Sequence, residues 1–261
     1  MKKVDYDGHQ HTVYVAGRPM SNDALKVWIE AFARHLPSER PLRWLDLGSG
    51  TGRLTPSLAE SFGGPVYGVE PSNKMRDQAV ASAAHPSVSY HSGSAEQIPL
   101  SDASCDAAVL FWVWHHVVDH ARAAAELHRV VRPGGKLFVR TNLSDRMPNT
   151  WWFHLVPEWL EVDRRMYRSR AEVTADFTTA GWHFVSLDEI EWRRAENLTT
   201  DFERLKLRAT SLFEQMSDEL IEVGFARIAK NLPALDDGEP VFETSDLLVF
   251  ERASTGDATN W

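Results

Sequence analysis

Short apolar runs recur along the chain and predict buried strands at 43–47, 65–69, 182–187 and 241–250. Segments with apolar residues three and four positions apart lie between these runs, and that spacing predicts amphipathic helices. A chain that alternates strands with helices in this way is expected to fold as an α/β domain.

The sequence also indicates where several helices begin. Ser21 is placed to cap a helix whose apolar stripe runs from Leu25 to Leu36. Further helices are expected behind four sets of capping residues: Asp119, Ser169 with Glu172, Thr200 with Glu203, and Ser217.

A glycine turn follows the first predicted strand, with Gly48, Gly50 and Gly52 at alternate positions before a helical pattern. Strand, glycine turn and helix together form the context in which such a motif binds a nucleotide. Glu70 ends the next apolar run, where a carboxylate can accept both hydroxyls of a ribose. Asp46 precedes the glycines, and an anion there would repel a pyrophosphate but suits an ammonium or sulfonium group. The pattern therefore favours S-adenosylmethionine over a dinucleotide such as NAD.

From this point the chain resembles the class I methyltransferases, in particular the small-molecule group that includes the ubiquinone/menaquinone-type enzymes. The match is close over roughly residues 40 to 143, and further motifs follow in order: Glu70-Pro71-Ser72 with Met75, the loop 93–99, the fourth strand 106–111, the segment 115–119, and the turn and fifth strand 129–139. The resemblance implies a Rossmann-like fold. We expect a seven-stranded, mostly parallel sheet with helices on both faces, an antiparallel last strand and a helical cap.

The resemblance also implies which residues bind S-adenosylmethionine and its product S-adenosylhomocysteine. Ser94 stands where family members commonly carry Asp, so its hydroxyl would form a weaker hydrogen bond with the adenine. The expected cofactor contacts are Tyr14 and Arg18 in the N-terminal segment, Asp46, Gly48, Ser49, Gly50 and Gly52 around the turn, Glu70, Pro71, Ser72 and Met75 after the second strand, Ser94, Ala95 and Glu96 in the adenine loop, and Phe111 with Trp112 after the fourth strand.

His115 and His116 are the candidate general bases, because imidazole titrates near neutral pH and both follow the fourth strand. With an ordinary imidazole pKa, the rate should fall below about pH 6. In the alternative interpretation, the two histidines only pack in the core or fix the loop.

Aromatic side chains suit a flat or apolar acceptor. The residues expected to contact the substrate are Trp114, Trp151, Trp152 and Tyr167, although some tryptophans could simply fill the core of the cap. Four arginines, at positions 164, 165, 168 and 170, could receive an anionic group of the substrate. Such a charged stretch is more typical of a solvated face.

We expect one domain over residues 1–253, with no second domain that has a core of its own. In it, residues 1–37 cover the cofactor, and insertions at 143–170 and 196–235 form the cap; residues 254–261 are expected to be disordered.

Composition narrows the function. The chain of 261 residues has 28 Lys and Arg against 37 Asp and Glu, a net charge of -9, which disfavours nucleic acid as a partner. The single cysteine excludes a disulfide framework, and no third ligand accompanies the two histidines, so no metal site is expected. Without a secretory signal or a long apolar run, the expected location is the cytoplasm, away from membranes.

The sequence therefore predicts methyl transfer to an O, N or C atom of a small molecule, with secondary metabolism as a candidate context. Two alternatives stay open: a methyltransferase-fold protein that binds the cofactor as a scaffold, regulator or cyclase, and a nicotinamide oxidoreductase, which the glycine spacing disfavours. The sequence does not distinguish a monomer from a homodimer.

Overall fold

The computed structural model describes residues 6–254, and its centre is a seven-stranded sheet in the order β3-β2-β1-β4-β5-β7-β6. The strands are β1 (Leu42–Leu47), β2 (Gly63–Glu70), β3 (Val88–Ser92), β4 (Cys105–Phe111), β5 (Val131–Arg140), β6 (Trp182–Ala195) and β7 (Val241–Arg252). Strand β7 pairs antiparallel with both neighbours, and every other pair in the sheet is parallel. The predicted sheet is therefore confirmed, including its antiparallel last strand.

Ten α-helices lie among the described residues. The helices are α1 (His11–Gly17), α2 (Asn22–Ala33), α3 (Thr55–Phe62), α4 (Asn73–Ser82), α5 (His120–Val130), α6 (Trp151–Leu155), α7 (Pro157–Arg164), α8 (Arg170–Thr179), α9 (Leu198–Leu205) and α10 (Asp218–Leu235). Short helical turns at 6–10, 114–116 and 211–215 complete the set. Two apolar clusters pack α2 and α3 against one face of the sheet and α5 and α8 against the other.

Most of the predicted helix starts are confirmed by hydrogen bonds from the first turn of the helix. The side chains of Ser21, Asp119, Ser169 and Ser217 each accept a backbone N–H, and Glu172 completes the capping box of α8. The prediction of a capping box at Thr200 with Glu203 is wrong. The side chain of Asn197 accepts the Thr200 N–H at 2.7 Å, so α9 begins earlier, at Leu198. Asparagine is an equally good capping residue, and its side chain satisfies that N–H.

The two segments predicted to form a cap do pack together, but they also build an apolar cluster of their own. The aromatic residues of 151–167 contact apolar residues of α9 and α10, with Trp159 at the centre of the cluster. This cluster is the core of the cap, and the single domain over residues 1–253 stays a prediction. These aromatic side chains bury one another instead of lying on the sheet.

The order of the strands decides where a ligand can bind. Strands β2 and β3 extend the sheet on one side of β1, and β4 and β5 extend it on the other. Such a switch point opens a crevice at the carboxyl ends of the strands. The glycine turn, Glu70 and Trp112 follow β1, β2 and β4 at this edge.

The predicted tail, from 255 onward, lies outside the described residues. None of the helices in 6–254 combines the length and the apolar character needed to cross a bilayer.

Candidate active site

The three glycines of the turn have different roles, although all have positive φ. A Cβ atom on Gly48 would lie 2.4 Å from Val113, and one on Gly52 would lie 2.3 Å from the hydroxyl of Tyr90. A Cβ atom on Gly50 would meet no atom within 4 Å. The outer glycines therefore allow close packing, whereas Gly50 borders open space that can admit a ligand.

The carboxylate of Glu70 joins two segments of the crevice. Its Oε2 accepts the Gly50 N–H at 3.0 Å, and its Oε1 accepts the Ser72 N–H at 2.9 Å. The residue is 7% exposed, and burial raises the pKa of the carboxyl group. Each oxygen has a second lone pair, so the carboxylate can still accept hydrogen bonds from two ligand hydroxyls.

Asp46 is a buried carboxyl group behind the turn, 2% exposed. Its Oδ2 accepts a hydrogen bond from the Thr55 hydroxyl at 2.7 Å. Burial raises the pKa of Asp46 to about 6, because the carboxylate loses its hydration. A cationic ligand group beside it would stabilise the charged form, so the residue fits the predicted ammonium or sulfonium.

Two guanidinium groups lie across the turn from Asp46. Arg53 donates to the carbonyl of Arg18 at 2.6 Å, and both guanidinium groups lie within 6 Å of the Tyr14 ring. Burial lowers the pKa of Arg53. Within residues 6–254, neither arginine has a carboxylate oxygen within 4.0 Å. They can therefore receive an anionic group of a ligand.

Four further predicted cofactor residues lie after β2 or in the glycine turn. Ser72 caps α4 and donates to Asp7 of the N-terminal segment at 2.6 Å, while Met75 is buried behind it and Pro71 is exposed. Ser49 lies buried in the turn, and its hydroxyl has no hydrogen-bond partner in the described part of the chain.

The predicted adenine loop, residues 93–99, is held in place by hydrogen bonds of its own residues. Ser94 and Ala95 lie in a tight turn closed by Gln97. The carboxylate of Glu96 accepts the backbone N–H groups of Val118 and Asp119 at 3.1 and 3.4 Å. Glu96 thus ties the loop to the segment after β4, and its contact with the cofactor stays a prediction.

A cavity of about 1030 Å³, including the part that opens to solvent, lies between the N-terminal segment, the ends of β4 and β5, and the cap. On the side of the sheet it is lined by Arg18, Arg53, Phe111, Trp112, His115 and, from β6, Arg194; in the cap it is lined by Trp152, Phe153, Tyr167, Asp201, Arg204, Leu205 and Leu212. The cavity therefore begins beside the glycine turn, at Arg53, and extends into a partly aromatic chamber.

The two histidines lie one behind the other. His115 lines the cavity, and its ring centroid is 3.9 Å from that of His116. His116 and the hydroxyl of Tyr6 share a hydrogen bond of 2.8 Å. The Nδ1 atom of His115 is buried without a hydrogen-bond partner among the described residues.

Both imidazoles are neutral at neutral pH. Burial, helped by the charge of Arg18, lowers the pKa of His116 to about 4. Burial, His116 and Arg18 together hold the pKa of His115 well below its usual value. The expected loss of rate below about pH 6 is therefore corrected, because imidazole protonation moves to a lower pH.

The structure separates the four predicted substrate contacts into two pairs. Trp152 and Tyr167 line the cavity. Trp114 is 1% exposed, stacks on Phe177 and donates to Asp176, so it belongs to the core. Trp151 donates to Asp201 at 2.9 Å and supports the wall from behind. The prediction for Trp114 is corrected, since its side chain is buried against Phe177 and Asp176. Trp151 is not among the residues that line the cavity, but it holds Asp201, which does line it.

The sequence did not reveal a buried arginine in the cavity floor. Arg140 ends β5, is 1% exposed, and its guanidinium lies 3.8 Å from the centre of the Trp112 ring. Its Nη2 donates to Ser245 at 2.8 Å. Trp112 has a φ of 66°, and its N–H donates to the carbonyl of Arg140. No local motif indicates this contact, because it joins the ends of two strands that are distant in sequence.

Also missing from the sequence-based predictions are Asp163, Trp192, Arg194, Arg204 and Glu243, which line the cavity. The arginines at 164, 165, 168 and 170 do not line it; Arg164 pairs with Glu161 and Arg168 with Asp176. Within residues 6–254, no group of three His, Cys, Asp or Glu side chains could hold a metal ion.

Comparisons with known proteins agree with this geometry. Residues 45–139 match the family model described as a methyltransferase domain. An uncharacterised methyltransferase of Mycobacterium tuberculosis is 38% identical over 180 residues, which cover 69% of this chain and 66% of that protein. The chain thus spans slightly less than two thirds of that relative's length.

Two solved structures share the fold. A methyltransferase assigned to an antibiotic biosynthesis pathway of Anabaena variabilis has a TM-score of 0.67 at 21% identity, over 86% of this chain and 96% of that one. The cyclase SpnF has a TM-score of 0.66 at 17% identity, over 95% and 94% of the two chains. The family model and the mycobacterial relative show that this chain contains a methyltransferase domain, and the solved structures show that it has the Rossmann-like fold of the class I methyltransferases.

Proposed function

We propose that the protein is an S-adenosylmethionine-dependent methyltransferase that acts on a small molecule. One observation carries the proposal: the open turn at Gly50, the carboxylate of Glu70 and the cavity lined by His115 meet at one edge of the sheet. S-adenosylmethionine supplies an electrophilic methyl group on a sulfonium, so the protein has to bind, orient and exclude water.

Three charged sites of the crevice would hold this cofactor. Glu70 would accept the ribose hydroxyls with its remaining lone pairs, and Asp46 would attract the ammonium group. Arg18 and Arg53 would receive the carboxylate. The N-terminal segment, which reaches Ser72 and His116, would cover the bound cofactor.

His115 is the proposed general base, because its ring lines the cavity and is neutral at neutral pH. A neutral imidazole nitrogen can take the proton of a hydroxyl or amine acceptor. His116, in contact with His115 and hydrogen-bonded to Tyr6, is the proposed positioning residue.

A small acceptor suits both the cavity and the charge of the protein. The N-terminal segment and the cap enclose the space beyond the turn, and the acidic balance of the chain opposes a polyanion. The acceptor atom is O, N or C. A role in secondary metabolism would parallel the pathway of the Anabaena structure.

Calorimetry with S-adenosylhomocysteine tests the cofactor assignment. Each charge-assisted hydrogen bond is worth roughly 1.5–3 kcal/mol, so Glu70→Ala should weaken binding at least about tenfold. Glu60→Ala removes an exposed carboxylate from α3 and should leave the affinity unchanged. Unchanged affinity in Glu70→Ala, or binding of NADH in preference to S-adenosylhomocysteine, would contradict the assignment of S-adenosylmethionine as the cofactor.

The alternative is a protein that binds the cofactor without transferring the methyl group. The fold shared with the cyclase SpnF favours this alternative. Release of S-adenosylhomocysteine from S-adenosylmethionine, measured by mass spectrometry with candidate acceptors, distinguishes the two. His115→Ala should lower that release roughly 100-fold if the histidine is the base.

A further inference from the structure

The cavity carries more cationic than anionic side chains. Five arginines and three carboxyl groups line it: Arg18, Arg53, Arg140, Arg194 and Arg204, with Asp163, Asp201 and Glu243. The chain as a whole has a net charge of -9. The arginines are thus concentrated in one cavity against the sign of the protein's overall charge.

Arg194 forms ion pairs with two of the three carboxylates. Its Nε lies 2.9 Å from Asp201, and its Nη1 lies 2.7 Å from Glu243. Glu243 also faces Arg140, at 3.4 Å. These four side chains form a balanced network with no negative charge to spare.

The third carboxyl group, Asp163, supplies little countercharge. It accepts one hydrogen bond, from Asn142 at 3.4 Å, and burial raises its pKa to about 7. Burial thus weakens the negative charge of this group at neutral pH.

Arg204 is left without an acidic partner at the cap end of the cavity. Its Nη1 donates to the carbonyl of Arg194 at 3.2 Å, and among residues 6–254 no carboxylate oxygen lies within 4.0 Å of its guanidinium. Arg140, whose charge is already balanced in that network, still has Nε and Nη1 atoms without a hydrogen-bond partner in the described part of the chain. Burial lowers the pKa of Arg140, a cost that a nearby anion would relieve.

The proposed cofactor does not remove this excess. Its single carboxylate is assigned to Arg18 and Arg53 near the turn, its ammonium group is assigned to Asp46, and its sulfonium group is positive. The cap end of the cavity therefore still requires an anion.

We propose that the methyl acceptor is a carboxylic acid whose carboxylate binds Arg204, with its apolar body against Trp152 and Phe153. The inference rests on the proposed methyltransferase function and names the class of substrate. A planar guanidinium matches a carboxylate in shape as well as in charge.

Matched acid and amide probes test the proposal. Calorimetry in saturating S-adenosylhomocysteine would compare indole-3-acetate with indole-3-acetamide, and cinnamate with cinnamamide. The wild-type protein should bind at least one acid about tenfold more tightly than its amide, which corresponds to roughly 1.4 kcal/mol. Arg204→Gln should abolish this preference, and Arg204→Lys should retain part of it.

Lys206→Gln is the matched control, because Lys206 follows the same helix but is exposed, pairs with Glu203 and does not line the cavity. It should leave both affinities unchanged. Three results would overturn the proposal: equal affinity for acid and amide, no binding of either acid at about 10 mM, or an acid preference that survives Arg204→Gln. Titration of S-adenosylhomocysteine into the same proteins is the separate check, since failure of that binding in the wild type would refute the proposed function itself.

Discussion

Gly50 can be compared with a second glycine that has the same backbone geometry but no part in the crevice. Gly50 and Gly238 have φ values of 56° and 83°, and a Cβ on either residue would meet no atom within 4 Å. Each Gly→Ala substitution should destabilise the protein by about 1 kcal/mol, because side chains disfavour this left-handed region. Only Gly50→Ala should also weaken S-adenosylhomocysteine binding, since its Cβ enters the ligand space.

Thermal unfolding and calorimetry on the two variants check this prediction. An equal effect on binding at Gly50 and Gly238 would mean that the turn shapes the fold without touching the ligand.

We expect Asp46 to make cofactor binding depend on pH. Its pKa of about 6 belongs to the ligand-free protein, where Thr55, Arg53 and Glu70 face it. A bound ammonium group favours the carboxylate and lowers that pKa, so affinity should be full above pH 6 and fall as the pH drops below it. Between pH 7.5 and 5, we expect about a tenfold loss in S-adenosylhomocysteine affinity.

Asp46→Asn should bind more weakly at pH 7.5 and lose most of this dependence. Calorimetry across the range measures both proteins. The same slope in the variant would assign the titration to another group, such as Glu70.

At the scale of elements, the N-terminal segment and the cap meet over the cavity. Tyr6 reaches His116, Asp7 reaches Ser72, and a Cβ on Gly17 would clash with Ala209 of the cap at 2.4 Å. The first residues of the described chain thus bridge the sheet edge and the cap.

The start of α9 gives a prediction for one helix. Asn197→Ala removes the side chain that accepts the Thr200 N–H and should destabilise the protein by about 1 kcal/mol. Thr200→Ala should have a smaller effect, because its hydroxyl makes no hydrogen bond in the described part of the chain. Denaturant unfolding measures the free energy of unfolding of both variants. A larger loss of stability in Thr200→Ala than in Asn197→Ala would show that Thr200 is the capping residue after all.

Elements that depend on neighbouring residues could be predicted from the sequence. The glycine turn, the cap at Ser21 and the capping box at Ser169 follow from contacts within a few positions. Thr200 was misassigned because two adequate capping residues lie three positions apart, and only the path of the chain selects Asn197.

At the scale of the whole molecule, the charges of the cavity could not be predicted. Arg140 meets Glu243, and Arg194 meets both Asp201 and Glu243, across strands and helices that the fold brings together. Their spacing along the chain carries no periodic signal. The direction of the Trp114 side chain was missed for the same reason, since packing on Phe177 turns it into the core.

Each region of the molecule has one role in the proposed function. In this function, the sheet edge supplies Glu70 and Asp46 for the cofactor, the cap supplies the chamber, and His115 lies between them. We propose that the cofactor crevice opens into the cavity that would hold the acceptor.

A crystal structure with S-adenosylhomocysteine bound tests this claim most directly. We expect the ribose hydroxyls on Glu70, the carboxylate of the ligand near Arg18 and Arg53, and the sulfur facing the part of the cavity lined by His115. A ligand bound away from Glu70, or a sulfur separated from the His115 cavity by protein, would contradict the account.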